Sequence, residues 1–497
     1  MSRRGKQAHW LEGVTSVALR FPDARPGARG PFPPFRAECD ILALEWDGEI
    51  PAAVEGSYFR CGPDRQFAPA CADSWPGANG DGVVSAFVIG RDRIDFRMRY
   101  VTTDRLTAER AAGRALFGAY RNPFTDDPSV AGIDRTVANT AVIWHAGKLL
   151  ACKEDGLPYV LDPATLETRG RFDFDGALAS RTFAAHPKFD PASGEMLFFG
   201  GQIDGLTSPR MLFGIADADG ALVRRIEFDA PYAGMVHDFA ITERFAIFLF
   251  VPVTTDQQRV EAGGPFWIWE PERASHIGIM PRDGSARDIR WFAGPAFWSW
   301  HTMNAFEDGD RILLDTTAAS HNALFPNVWG VIAPPAPFRP TRIVCDLGAD
   351  GGGMRMRPLS ELASDFYSCD PRFIGRAYRH GFMAAVDPAF PPAPGFNAVV
   401  RLDHRTGEAR SWHAGAQSAV QEPVFVPRHA DAPEGDGFLL LVVNDFAAHR
   451  AELRIIDTAR EDSAPVATAW LPFIIPMALH GTFVTRAQID RALRDTQ

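Results

Sequence analysis

The chain has 497 residues, 46% of them hydrophobic and 23% charged, and its 37 Phe and 12 Trp supply a large core with aromatic surface left over for a pocket, which argues against disorder. Its 62 acidic and 51 basic residues give a formal charge of −11 with no basic run of five or more, so a nucleic-acid partner is not expected and small, apolar partners are. The six cysteines, Cys39, Cys61, Cys71, Cys152, Cys345 and Cys369, form no CxxC pair, and a chain of this length needs no disulfide staples; a reducing cytoplasm is the expected setting.

The stretch Met1 to Trp10 is basic but lacks the apolar core of a secretory signal, and residues 1–38 read as an extension to a single domain spanning 1–497. From about residue 40 onward, short apolar runs alternate with Gly, Asp and Pro, the pattern of an antiparallel meander. Ala141 to Trp144, the turn at Ala146-Gly147 and Leu149 to Cys152 read as one hairpin; Met196 to Phe199 and Met211 to Ile215 read as further strands. The same strand, acidic turn and strand recur at Phe239–Phe250 and at Met303–Asp315. Helix is expected only at Asp104–Tyr120 and Arg486–Arg494.

Pro-rich stretches at 31–34, 334–337 and 391–394 read as loops, because strand patterning resumes after each. The longest apolar runs, Phe438–Val443 and Phe245–Val253, fall far short of the ~20 residues of a membrane span. So many strands need their edges hidden, and a β-propeller does that within one unit. The expected class is therefore all-β, although the repeats are too divergent to count blades.

Thirteen histidines are present, and most call for no special role. Four share a setting: His186, His237, His301 and His480 each sit among apolar residues beside a strand-like run. Four blades could each turn one imidazole toward a common axis, and such a donor set suits zinc, copper, iron or nickel. Pattern alone does not choose among these.

The segments around these histidines resemble the carotenoid cleavage oxygenase family, which includes bacterial stilbene-cleaving dioxygenases. The resemblance rests on Gly56-Ser-Tyr-Phe-Arg-Cys-Gly-Pro63, Gly80-Asp-Gly-Val-Val-Ser-Ala-Phe87, Lys153-Glu-Asp-Gly-Leu-Pro-Tyr-Val-Leu-Asp-Pro163, His186-Pro-Lys-Phe-Asp-Pro191, Val236-His-Asp-Phe239, Trp300-His-Thr-Met-Asn-Ala305, Gln421-Glu-Pro-Val-Phe-Val-Pro427 and His480-Gly-Thr-Phe483. It implies a seven-bladed β-propeller with a dome of loops and helices over an axial iron(II), Fe(2+), held by the four histidines. It also implies carboxylate partners: Glu154 for His237, Asp365 for His301 and Glu422 for His480, with His186 unpaired. Asp365 departs from the usual Glu, and its shorter arm calls for a water or a backbone shift. Without the resemblance Glu422 would be a solvated turn residue, Glu154 a turn beside Asp155-Gly156 and Asp365 a loop carboxylate.

The stilbene-cleaving branch looks most similar. It implies a substrate phenol held by Tyr120 and Lys153, where a nearby cation favours the phenolate. A third pocket position, usually aromatic, falls on Ala78, with Trp75 as a substitute; Phe306 is a further wall candidate, as are Phe59, Trp298 and Phe483. Outside the family context Lys153 is a strand-end lysine and Tyr120 a core residue.

The expected function is thus an oxidoreductase that cleaves a phenolic, stilbene-like alkene with dioxygen into two aldehydes. An apocarotenoid or other isoprenoid alkene is the alternative substrate, and a non-catalytic propeller binding module is the alternative of another class. A zinc hydrolase is disfavoured because no HExxH motif occurs. Self-association as a homodimer stays open.

Overall fold

The computed structural model describes residues 34–71, 77–349 and 353–495. The expected runs form strands, and these gather into seven large antiparallel sheets arranged as the blades of a propeller. The second blade is typical: Ala141–His145, Lys148–Cys152, Tyr159–Leu161 and Thr168–Arg171 pair in chain order from axis to rim. Burial follows the same gradient, since Leu149 to Cys152 are fully covered whereas Thr168–Arg171 alternates between half-buried and exposed.

Blades pack through their apolar faces. Between the third and fourth, Phe198, Phe199, Phe213, Phe228, Phe239 and Phe248 share one cluster, with Phe239 and Phe248 stacked at 5.9 Å. The ring is closed at both ends of the chain. His480–Thr485 becomes the innermost strand of the first blade by pairing with Gly56–Cys61, and Glu45–Gly48 becomes the outermost strand of the last blade by pairing with Ala467–Trp470. Each end of the described chain is thereby tied into a blade.

Innermost strands all start on one face, and the long connections between blades, together with those joining second and third strands, emerge on that same face. They interlock into the dome. Asn122 Nδ2 donates to the carbonyls of Val260 (3.0 Å) and Gly264 (2.9 Å), and the Trp269 amide donates to Pro326 O at 2.8 Å.

The first helix is shorter than expected, covering Asp104–Ala112 in place of Asp104–Tyr120. Gly113 ends it in the left-handed conformation at φ 67°, a stop that a glycine accepts without strain. The C-terminal helix spans Arg486–Asp495 and buries Ile489 and Ala492. Among the described residues no helix is long and apolar enough to cross a membrane.

Candidate metal centre

The first, third, fourth and fifth blades each place a histidine at the start of an innermost strand. His480 opens its strand, while His186, His237 and His301 stand one or two residues before Lys188–Phe189, Phe239–Ile241 and Thr302–Asp308. The other three blades supply carboxylates at the same level: Glu154 just after Lys148–Cys152, Asp365 on Ala363–Cys369 and Glu422 just before Val424–Pro427. Each blade contributes one member of a seven-residue constellation.

The candidate donor atoms of His186, His237, His301 and His480 lie within 4.8 Å of one another. His237 Nε2 is 3.1 Å from His186 Nε2 and 3.3 Å from His301 Nε2. On the far side of the rings, Nδ1 of His237 meets Glu154 Oε1 at 3.2 Å, Nδ1 of His301 meets Asp365 Oδ1 at 2.7 Å and Nδ1 of His480 meets Glu422 Oε1 at 2.7 Å.

An imidazole that donates Nδ1–H to a carboxylate presents a bare lone pair at Nε2. Burial first, and then the three neighbouring imidazoles, push His186 well below the usual histidine range. The four rings crowd their nitrogens together, and a bound cation would satisfy the lone pairs turned toward the axis. The donor set fits a metal ion.

Asp365 reaches His301 directly, without an intervening water. A β-bulge between Asp365 and Ser368 provides the expected backbone shift, with Phe366 in the left-handed region at φ 53°. A bulky residue there stores strain of order 1–3 kcal/mol. Its ring stacks on His301 at 5.6 Å and lies 5.5 Å from His480. Burial opposes ionisation of Glu154, but the His237 imidazole and the Lys153 ammonium beside it hold its carboxyl well below the usual carboxylate range.

Lys153 and Tyr120 are brought together. Both are buried, and Lys153 Nζ stands 5.2 Å over the Tyr120 ring. Nζ donates to Ala78 O and to Asn139 Oδ1, each at 3.0 Å. Ala78 thus joins the site through its carbonyl, and its methyl packs in the same apolar cluster as Tyr120, Met235 and Trp298. Trp75 lies outside the described residues.

Phe306 is not brought to this site. It lies farther down the strand that begins at Thr302, where it packs against Tyr378 at 6.1 Å and under the Arg342 guanidinium at 5.1 Å. Phe59 is likewise buried away, in a cluster between the first and second blades, and Phe483 lines a different cavity that opens beside Val424–Arg428. The aromatic neighbours of the histidines are Trp300, edge-on to His237 at 4.5 Å, and Phe366; Trp298 backs Trp300 at 4.7 Å. Their adjacency to His301 and Asp365 in sequence was the available signal.

A propeller that carries four imidazoles on its axis, three of them held by carboxylates, belongs to the class of β-propellers with a candidate metal site at the axis. Residues 32–485 match the family described as retinal pigment epithelial membrane protein. The isoeugenol monooxygenase of Pseudomonas putida is 44% identical over 93% of this chain and 98% of its own, and the lignostilbene-alpha,beta-dioxygenase isozyme III of Sphingomonas paucimobilis is 41% identical over 95% and 99%. The crystal structure of Pseudomonas brassicacearum lignostilbene dioxygenase superposes with a TM-score of 0.90 at 40% identity, covering 94% of this chain and 100% of that one. The chain belongs to the carotenoid cleavage oxygenase family and is an oxygenase.

Proposed function

We propose that this oxygenase holds iron(II) on His186, His237, His301 and His480 and splits the carbon–carbon double bond conjugated to a 4-hydroxyphenyl ring, releasing two carbonyl products. The observation that carries this reading is the adjacency of Lys153 and Glu154. One places its ammonium over Tyr120, while the next fixes His237. A phenol bound at Lys153 therefore lies a single residue, in sequence, from the support of the metal.

A donor set of imidazoles without thiolate suits a redox-active iron(II). Bound there, the metal would supply the binding and activation of dioxygen. Carboxylate partners at Nδ1 orient three of the rings and make them better donors.

Two of the three Nζ–H groups of Lys153 go to Ala78 O and Asn139 Oδ1, which leaves one to donate to the substrate oxygen. A free phenol titrates near ~10, and a buried ammonium beside it favours the phenolate. Burial first, and then the Glu154 carboxylate, push the Tyr120 hydroxyl well above the usual tyrosine range, so it stays protonated and donates to the same oxygen. Electron density is thereby released into the conjugated alkene. Trp300, backed by Trp298, and Phe366 set apolar rings against His237 and His301.

Isoeugenol and lignostilbene, named for two of the relatives, are both phenols conjugated to an alkene. Against an apocarotenoid the Lys153 ammonium would lie unused. The test is incubation of the iron-loaded protein with isoeugenol, 4-hydroxystilbene and an apocarotenal under 18O-labelled dioxygen, with products read by mass spectrometry. Labelled aldehydes from the phenols alone are expected; cleavage of the apocarotenal alone would contradict the reading.

A further inference from the structure

Backbone ladders join strands within a blade, but the innermost strands of the third, fourth and fifth blades belong to separate sheets. Nothing in those ladders fixes the distance between His186, His237 and His301. Side chains must do it, and one buried carboxylate touches all three strands.

Asp238 follows His237 and is 3% exposed. Its Oδ1 lies 2.7 Å from Lys188 Nζ on the third blade and accepts the Phe239 amide at 2.7 Å. Its Oδ2 accepts the Thr302 amide at 2.7 Å and the Thr302 hydroxyl at 2.9 Å on the fifth blade. Lys188 is two residues beyond His186, and Thr302 is one beyond His301. Each arm of the carboxylate thus ends within two residues of a different histidine.

We infer that Asp238 is a positioning residue that clamps three blades at the spacing the three imidazoles need. This rests on the reading that the histidines hold a metal. The clamp joins the residues beside the three histidines, so it sets metal retention and ligand geometry. A buried, charge-assisted pair with good geometry is stiff enough for that task, whereas apolar contact between blades allows small slides.

The test uses the full-length iron-loaded protein and the variants Asp238→Asn, Lys188→Met and Thr302→Val. Iron loss to a chromogenic chelator is followed without oxygen, the visible absorption of the cobalt(II)-loaded forms reports ligand geometry, and the melting temperature of each metal-free form reports the fold. Asp238→Asn is expected to lose iron at least about tenfold faster and to shift the cobalt bands, since support of ligands commonly governs about 10–100-fold in affinity. Thr302→Val, which keeps the amide donor, is expected to show a smaller change of the same sign even if Asp238→Asn fails to fold. Iron loss and cobalt spectra equal to wild type in the folded variants would overturn the clamp alone. A wild-type protein that holds no metal would overturn the metal reading and the clamp with it.

Discussion

Glu422 grips His480 twice: Oε1 meets the imidazole Nδ1 at 2.7 Å, and Oε2 accepts the amide of Gly481, the next residue, at 2.7 Å. The ring and its backbone are held by one side chain of the neighbouring blade. Because His480 opens the strand that closes the propeller, the same contact couples ring closure to the proposed metal centre.

Glu422→Gln retains the shape but removes the charge, and Glu422→Ala removes both contacts. Metal affinity should fall by about tenfold in the first and up to about 100-fold in the second. Metal content after dialysis against a graded chelator series checks this, and equal retention in both variants would contradict the coupling.

Asp365→Asn should weaken metal retention by a similar factor, because it replaces the acceptor at 2.7 Å from His301 Nδ1. Phe366→Gly should relax the backbone at φ 53° yet remove the ring stacked on His301. We expect a protein that unfolds at a lower temperature, since losing a buried ring costs about 3–5 kcal/mol against a strain relief of about 1–3 kcal/mol, and that turns over more slowly. Calorimetry and steady-state kinetics separate the two effects.

Lys153→Met and Tyr120→Phe should each lower kcat/KM for a 4-hydroxystilbene by about 10²-fold or more while metal content stays near wild type. For the O-methylated stilbene, wild type and variants should be similarly slow, since no phenolate can form. Lys153→Met also removes one donor from the Ala78 carbonyl and one from the Asn139 amide oxygen, which keep Asn139 Nδ2 and Thr140 Oγ1 as donors, so the loss of stability should be only about 0.5–1.5 kcal/mol. Equal rates on the phenol and its methyl ether in wild type would sink the phenolate argument.

Acid sensitivity should trace in part to His380, at the start of the second strand of the sixth blade. Burial and then the Arg401 charge push its imidazole down from 6.5 to about 4. Between those values the unfolded chain takes up a proton that the folded chain refuses, so stability is full above about 6.5 and falls as pH drops toward about 4. Urea unfolding at pH 7 and pH 5 should show a smaller loss for His380→Gln than for wild type. His145, His276 and His404 are lowered by burial as well, so the slope is reduced and not abolished.

Strand runs such as Ala141–Cys152 and Phe239–Phe250 were legible because turn residues punctuate them locally. Closure was not, since the pairing of Gly56–Cys61 with His480–Thr485 joins opposite ends of the chain and no local pattern encodes it. The helix end at Gly113 was overrun because Ala115 and Phe117 continue a plausible apolar face. Motif context located the histidines and their carboxylates, yet proximity in sequence misled for Phe306: a strand carries a residue five positions beyond His301 roughly 15 Å away. The bulge at Phe366 and the clamp at Asp238 depend on which blades are neighbours, and that is a property of the closed ring.

On the proposed function, the four imidazoles form a metal centre on which the chemistry depends. Its most direct measurement is the metal content of the purified protein by mass spectrometry, followed by turnover of isoeugenol or a 4-hydroxystilbene before chelation, after it, and after iron(II) is returned. About one iron per chain is expected, with loss of aldehyde formation on stripping and recovery with iron(II). Full activity in metal-free protein would contradict it.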